Sequence, residues 1–289
     1  MVRLDTYLAE REGVPRSLVQ KLIKTGVAMV NGEVVTRPAR SISEADNVVF
    51  QPPPAPDEGE WLAGFSRYVI YADDNVVVVN KPAGMLVHAK GGIAKELTVA
   101  DYVRSQFKPD ELADNADNNR LGIVHRLDRA TSGVMICARN LATASYLSRQ
   151  FAERKAKKVY LALVSSLPGH SAARINLPIR RSRRAPSTFV VDGNGKVAIT
   201  DYTVKKEYPD GRALLELRPL TGRTHQLRVH LAHLGCPIVG DAVYGHARYG
   251  DRLMLHAYQL EISVPGRDGA ERRIFTAPLP ADFQEVIGG

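Results

Sequence analysis

Residues 51–64, QPPPAPDEGEWLAG, constrain the fold more than any other stretch of the chain. Pro52, Pro53 and Pro54 favour extended backbone and have no N–H to give to a sheet ladder. Neither a central strand nor a long helix can run through them. The stretch reads as a linker over residues 52–65, separating a small unit over 1–51 from a large domain over 66–289. No internal repeat is evident in the sequence.

Within the small unit, Leu4, Tyr7 and Leu8 have helical spacing. A second helix is predicted from Pro15 to Thr25, with Gly26 as its stop. Leu18, Val19, Leu22 and Ile23 form its apolar stripe. Arg16, Lys21 and Lys24 fall largely outside that stripe, where they can face an anion. Asn31-Gly32 between two short apolar runs signals a two-residue hairpin, because both turn positions need positive φ. In the large domain, strands are predicted at 68–71, 76–80, 122–124, 134–138, 160–164, 200–205, 213–218 and 259–263. Helices are predicted at 98–107, 140–153 and 225–234, with Asn140 as a cap. Strands without regular helix alternation indicate an α+β domain rather than a doubly wound sheet.

A hydrophobic content of 44% over 289 residues excludes a mainly disordered or fibrous chain. Cys137 and Cys236 are too few for a disulfide scaffold or a four-cysteine zinc site. No apolar run approaches the ~18 residues of a membrane span. The N-terminus, MVRLDTYLAEREGV, carries acids early and lacks an apolar secretory core. These features predict a soluble, cytoplasmic protein without a membrane partner, and a monomer by default. The net charge of +8 is unevenly spread: residues 139–188 alone hold eleven basic residues and one acidic residue. Such a concentrated footprint suits neutralisation of phosphates, with a solvated charged face as the bland alternative.

Three constellations can carry chemistry. In His125-Arg126-Leu127-Asp128-Arg129-Ala130-Thr131-Ser132-Gly133 a carboxylate lies between two arginines after an apolar run. Nearby positive charge keeps such an aspartate ionised, which suits a nucleophile or electrostatic stabiliser, or a structural ion pair. Thr221-Gly222-Arg223-Thr224-His225-Gln226-Leu227-Arg228 offers two arginines and several donors. With His230 and His233 it invites a metal reading. The histidine spacing does not match a metalloprotease helix, so polar groups satisfied near a helix start are favoured. In Lys158-Val159-Tyr160 a strand tyrosine can stack on a base, transfer a proton or simply fill a core. No phosphate-binding loop, dinucleotide fingerprint, nucleophile elbow or zinc-deaminase cysteine pair is present.

HRLDRATSG at 125–133 closely resembles the signature of the RluA family of RNA pseudouridine synthases. NKPAGMLVHAKGG at 80–92, KVYLALV at 158–164, GKVAIT at 195–200, LTGRTHQLRVHLAHLGCPIVGD at 220–241, LHA at 255–257 and FTAPLP at 275–280 follow in that family's order. Residues 3–35 are similar to an S4 RNA-binding domain. The resemblance implies a mixed, largely antiparallel central sheet flanked by helices and loops, plus a small α/β S4-like domain. It implies isomerisation of uridine in RNA to pseudouridine, without cofactor or metal.

The resemblance also assigns roles. Asp128 becomes the catalytic aspartate, Tyr160 the tyrosine that stacks on the target base, and Arg228 the arginine paired with Asp128. Arg126 helps hold RNA with the target nucleotide displaced, and Lys158, Arg223, Thr224, His225 and Gln226 support the pocket. Ala130 occupies a variable position, and Cys236 stands where histidine is common. The expected partner is ribosomal RNA of the large subunit, with transfer RNA as the alternative. A non-catalytic RNA-binding protein and a metal-dependent RNA hydrolase are the readings from other classes.

Overall fold

A computed structural model describes residues 1–52, 57–88, 96–113, 120–246, 252–266 and 268–288. They form two units, one of Met1–Gly64 with Glu96 and Leu97, and one built from Phe65–His88 and the described residues from Thr98 onward.

The first unit contains β1 (Val2–Arg3), α1 (Leu4–Glu12), α2 (Arg16–Lys24), β2 (Ala28–Val30), β3 (Glu33–Val35), β4 (Ser41–Ile42) and β5 (Val48–Phe50). Strands β3, β2 and β5 make one small antiparallel sheet, and β1 pairs with β4. Leu18, Val19, Leu22 and Ile23 are all buried, as the stripe on α2 predicts. The β2–β3 turn holds Asn31 at φ 53° and Gly32 at φ 81°, both left-handed. Asp5 is fully buried and accepts hydrogen bonds from Arg3, Arg16 and Gln20. Those partners, Arg3 first, hold its carboxyl far below the usual range. Arg16 is thus engaged by Asp5, while Lys21 and Lys24 stay exposed.

Part of the expected linker is helical. Residues 58–65 form α3 (Glu58–Phe65), because Asp57 accepts the Glu60 N–H at 2.9 Å and caps the first turn. Residues 53–56, with most of the prolines, lie outside the described residues.

The second unit continues with β6 (Val69–Ala72), β7 (Val76–Lys81), α4 (Val99–Arg104), α5 (Pro109–Ala113), β8 (Ser132–Ala138), α6 (Leu141–Ala152) and β9 (Lys157–Val164). Then come β10 (Ala172–Asn176), β11 (Ile179–Arg181), β12 (Phe189–Val191), β13 (Ile199–Glu207) and β14 (Ala213–Pro219). It ends with α7 (Gln226–His233), β15 (Leu255–Gly266), β16 (Gly269–Thr276) and α8 (Ala281–Gly288). Asn140 caps α6 as expected, accepting the Thr143 N–H at 2.8 Å. Instead of a strand at 122–124 there is a single bridge from Ile123 to Cys137, since a turn closes from Ile123 N–H onto Arg120.

The large sheet runs β10-β13-β14-β9-β15-β8-β7-β6 and is mixed, largely antiparallel. Every residue of β8 is buried, as a strand covered on both faces requires. β15 is shared: its first residues lie between β9 and β8, while its later ones run between β9 and β16. A register shift between Ala257 and Gln259 accompanies that change of neighbour. Its pairing with β8, at Ser132–His256 and Gly133–Ala257, is the parallel contact of the sheet among the described residues. Strands at this junction approach too closely for a side chain. Gly133 has φ 119°, and a Cβ there would lie 2.2 Å from the Ala257 carbonyl oxygen.

Gly133→Ala therefore combines a forbidden φ with a backbone clash at the root of the loop that carries Asp128. We expect it to lower unfolding stability by about 3 kcal/mol or more in urea titrations. Gly211→Ala, strained in φ but facing open space, serves as the comparison and should cost less.

Candidate active site

The loop from His125 to Thr131 precedes β8 and delivers Asp128 to a cavity of about 130 Å³. That is about ten times the space one water needs, enough for a flat heterocycle. The cavity is lined by Arg126, Asp128, Lys158, Tyr160 and residues 221–228, so the three constellations converge. Lys158 and Tyr160 reach it together because alternate residues of β9 share a face.

Three anchors hold the Asp128 loop. Lys81, fully buried, donates from Nζ to the carbonyls of Pro82, Met85 and Arg129 at 2.9, 3.0 and 3.1 Å. Burial pulls its ammonium down to about 7, against the opposing charge of Asp128. Gly84 N–H reaches the same Arg129 carbonyl, and Arg129 Nε returns to the Gly84 carbonyl, each at 2.8 Å. His125, stacked on Phe151, accepts the Ile136 N–H at 3.0 Å through Nε2.

Arg228 sits on α7 and is almost wholly buried. Arg228 pairs with Asp128 through the longer of its two ion pairs. Its Nε and Nη2 form a two-pronged pair with Asp241, both at 2.8 Å, and only Nη1 faces Asp128, at 3.8 Å. Asp241 wins the fork because the N–H groups of Val243 and Tyr244 fix its Oδ1 at 2.9 and 3.0 Å. Burial works against both charges, yet each outweighs it for the other, so Arg228 is raised and Asp241 lowered. The guanidinium also lies over the Tyr244 ring, 5.2 Å from its centroid.

His225 precedes α7 at φ 56°, a left-handed conformation uncommon for any residue but glycine, and its Nε2 lies 3.9 Å from Asp128 Oδ1. Tyr160 is raised by burial and then by the charge of Asp128, so its phenol keeps its proton at neutral pH. Lys158 is lowered by burial. Arg126 is exposed, with Nη1 3.2 Å from His88 Nε2. Arg223 reaches the Val197 carbonyl, and Thr224 lines the cavity. The Gln226 amide is spent inside the fold. It accepts from Thr221 and Arg223 N–H, and donates to the Ile199 carbonyl and Thr200. His230 is likewise engaged, by Thr200 and the Leu177 carbonyl, and does not join His225.

A second cavity of about 410 Å³ adjoins the first. It shares Arg126, Lys158, Tyr160 and Arg223 and adds Arg154, a concentration of cations beside the base-sized space. Arg154 and Lys158 belong to the basic segment found in the sequence.

The model of the RNA pseudouridylate synthase family matches residues 75–233. The chain belongs to this family. The S4 domain model matches residues 2–48. An uncharacterized RNA pseudouridine synthase of Aquifex aeolicus is 36% identical over 98% of this chain and 92% of its own length. The ribosomal large subunit pseudouridine synthase D of Borreliella burgdorferi is 35% identical over 98% and 87% respectively. The solved structure of human RNA pseudouridylate synthase domain containing 4 superposes with a TM-score of 0.60 at 27% identity. It covers 80% of this chain and 95% of its own. The expected family and α+β fold are thereby borne out.

Lys81, Asp241, Tyr244 and His256 were not singled out by sequence reasoning. Lys81, Asp241 and His256 lie inside the family-like runs at 80–92, 220–241 and 255–257, whereas Tyr244 lies outside all of them. His256 is buried under the loop, with Nδ1 accepting from Ser132 Oγ at 2.8 Å and Nε2 donating to the Ala277 carbonyl at 3.2 Å. Burial lowers it to about 4, and burial, with Lys158, lowers His125 to about 3. An unfolded histidine takes a proton near pH 6.5, and these folded ones refuse it. The share of stability owed to these two histidines should thus be complete above that pH and fall as pH drops toward 4, by about 1.4 kcal/mol per pH unit for each. Urea titrations at pH 6.5, 5.5 and 4.5 measure this slope, and His256→Gln should remove about half of the histidine share.

Proposed function

We propose that this synthase converts uridines of large-subunit ribosomal RNA to pseudouridine, with the target base turned out of its stack into the Asp128 cavity. The observation that carries the reading is the meeting of Asp128, Tyr160 and Arg228 in one base-sized space beside a cation-lined cavity. The family membership supports the reaction. The name of the Borreliella burgdorferi relative supports the ribosomal target. Cytoplasmic RNA is the corresponding substrate pool.

In this reading Asp128 is the nucleophile toward the flipped uridine, the bond it forms is broken again by the time C5 is joined to C1′, and Arg228 Nη1 and His225 face its two oxygens. The N1–C1′ bond breaks, the uracil turns, C5 joins C1′, and the hydrogen lost from C5 is balanced by one gained at N1. Tyr160 stacks on the base and moves the C5 proton as a relay, since burial and Asp128 disfavour a standing phenolate. Unstacking a base costs a few kcal/mol, which stacking of ~1–3 kcal/mol and phosphate contacts to Arg126, Arg154, Lys158 and Arg223 offset. Lys21 and Lys24, with the exposed Arg16 beside Asp5, are cations that the S4 domain offers to RNA.

Tritium release from RNA carrying [5-³H]uridine tests the chemistry. Asp128→Asn should lose at least about a thousandfold in rate, and Tyr160→Phe should lose isomerisation while still binding RNA. Turnover near wild type in Asp128→Asn would remove the nucleophile from the account. Loss of folding in Tyr160→Phe would make the tyrosine a core residue.

A further inference from the structure

Beyond the Asp128 cavity, one hydroxyl ties three separate pieces of the large unit together. Tyr244 Oη accepts the backbone N–H of Phe189 at 2.9 Å and lies 2.8 Å from His225 Nδ1. Phe189 belongs to β12, the return strand of the β11–β12 hairpin that also bears Arg180 and Arg181. The rings of Phe189 and Tyr244 each meet His225 edge-on, both with centroids 5.6 Å away, so the imidazole is clamped on two sides.

We propose that Tyr244 is a positioning residue: its hydroxyl donates to His225 Nδ1 and so fixes the tautomer whose Nε2–H faces Asp128. Donor arithmetic gives the direction. The Phe189 N–H can only donate, so it occupies a lone pair of the phenol oxygen and leaves the phenol hydrogen for His225. Burial raises Tyr244 and keeps that hydrogen in place. The reverse tautomer would leave the phenol hydrogen unspent and aim a bare nitrogen lone pair at the carboxylate 3.9 Å away. The left-handed φ of 56° at His225 is the backbone strain accepted to put the ring there.

The functional consequence rests on the reading of Asp128 as the reacting group, whereas the tautomer does not. The test therefore separates them. Full-length protein labelled with ¹⁵N-histidine is studied by long-range ¹H–¹⁵N NMR, with His225→Gln assigning the signals. The wild type should show His225 as the Nε2–H tautomer. Tyr244→Phe, which keeps the ring under Arg228, should give a mixture of tautomers. In the tritium assay the same variant should lower kcat roughly fivefold, the usual worth of one neutral hydrogen bond, with KM unchanged. A raised KM with an unchanged kcat and tautomer would reduce Tyr244 to an anchor of the hairpin and overturn the proposal. A wild-type Nδ1–H tautomer would overturn it as well. If the tautomer behaves as stated but wild-type protein isomerises no RNA, the functional reading falls and the assignment to Tyr244 stands.

Discussion

The buried pair between Arg228 and Asp241 is the interaction on which the rest of the site depends. Two buried charges survive only if geometry and extra hydrogen bonds repay their lost hydration. Here the Arg228 fork is matched to both Asp241 oxygens, and two backbone N–H groups complete the carboxylate. The pair uses two of the guanidinium nitrogens and leaves the third facing Asp128 at 3.8 Å. A longer, single-edged contact of that kind supplies positive charge without locking the aspartate in a bidentate bridge. Asp128 thus remains able to approach a substrate, while the cation that steadies it is held from behind.

The fold delivers the other half of the site by the same logic of rigid support. The parallel contact between β8 and β15 forces glycine at 133, and the chain just before it is pinned at Arg129 by Lys81 and Gly84. The Asp128 loop is therefore short and fixed at both ends. Opposite it, β9 presents Lys158 and Tyr160 on one face, and Gln226 spends its whole amide on the turn that leads into α7. Arg126, Lys158 and Arg223 line this cavity and continue, with Arg154, into the larger one beside it, a placement that suits attraction for a phosphate chain.

Much of this was legible in sequence where a local rule is strong. Asn31-Gly32 dictates its turn, the stripe on α2 dictates its buried face, and Asn140 caps the helix it precedes. The convergence of residues 125–133, 158–160 and 221–228 was legible only through resemblance, since no local rule brings distant segments together. β10, β11 and β16 escaped because their exposed, charged residues hide the alternation of a buried strand, and β12 because three residues are too short to show one; β16 reads GAERRIFT and lies against the later half of β15. The helix at 58–65 was masked by the prolines before it. Asp241 was missed as the partner of Arg228 because the pairing depends on a turn thirteen residues away, and sequence alone could not rank it against Asp128.

We propose that this cavity turns uridines of large-subunit ribosomal RNA into pseudouridine. Base-resolution mapping of pseudouridine in total cellular RNA, prepared with and without the protein, measures it most directly. Discrete pseudouridines in large-subunit RNA should disappear with the protein. Loss confined to transfer RNA, or no change at any uridine, would contradict it.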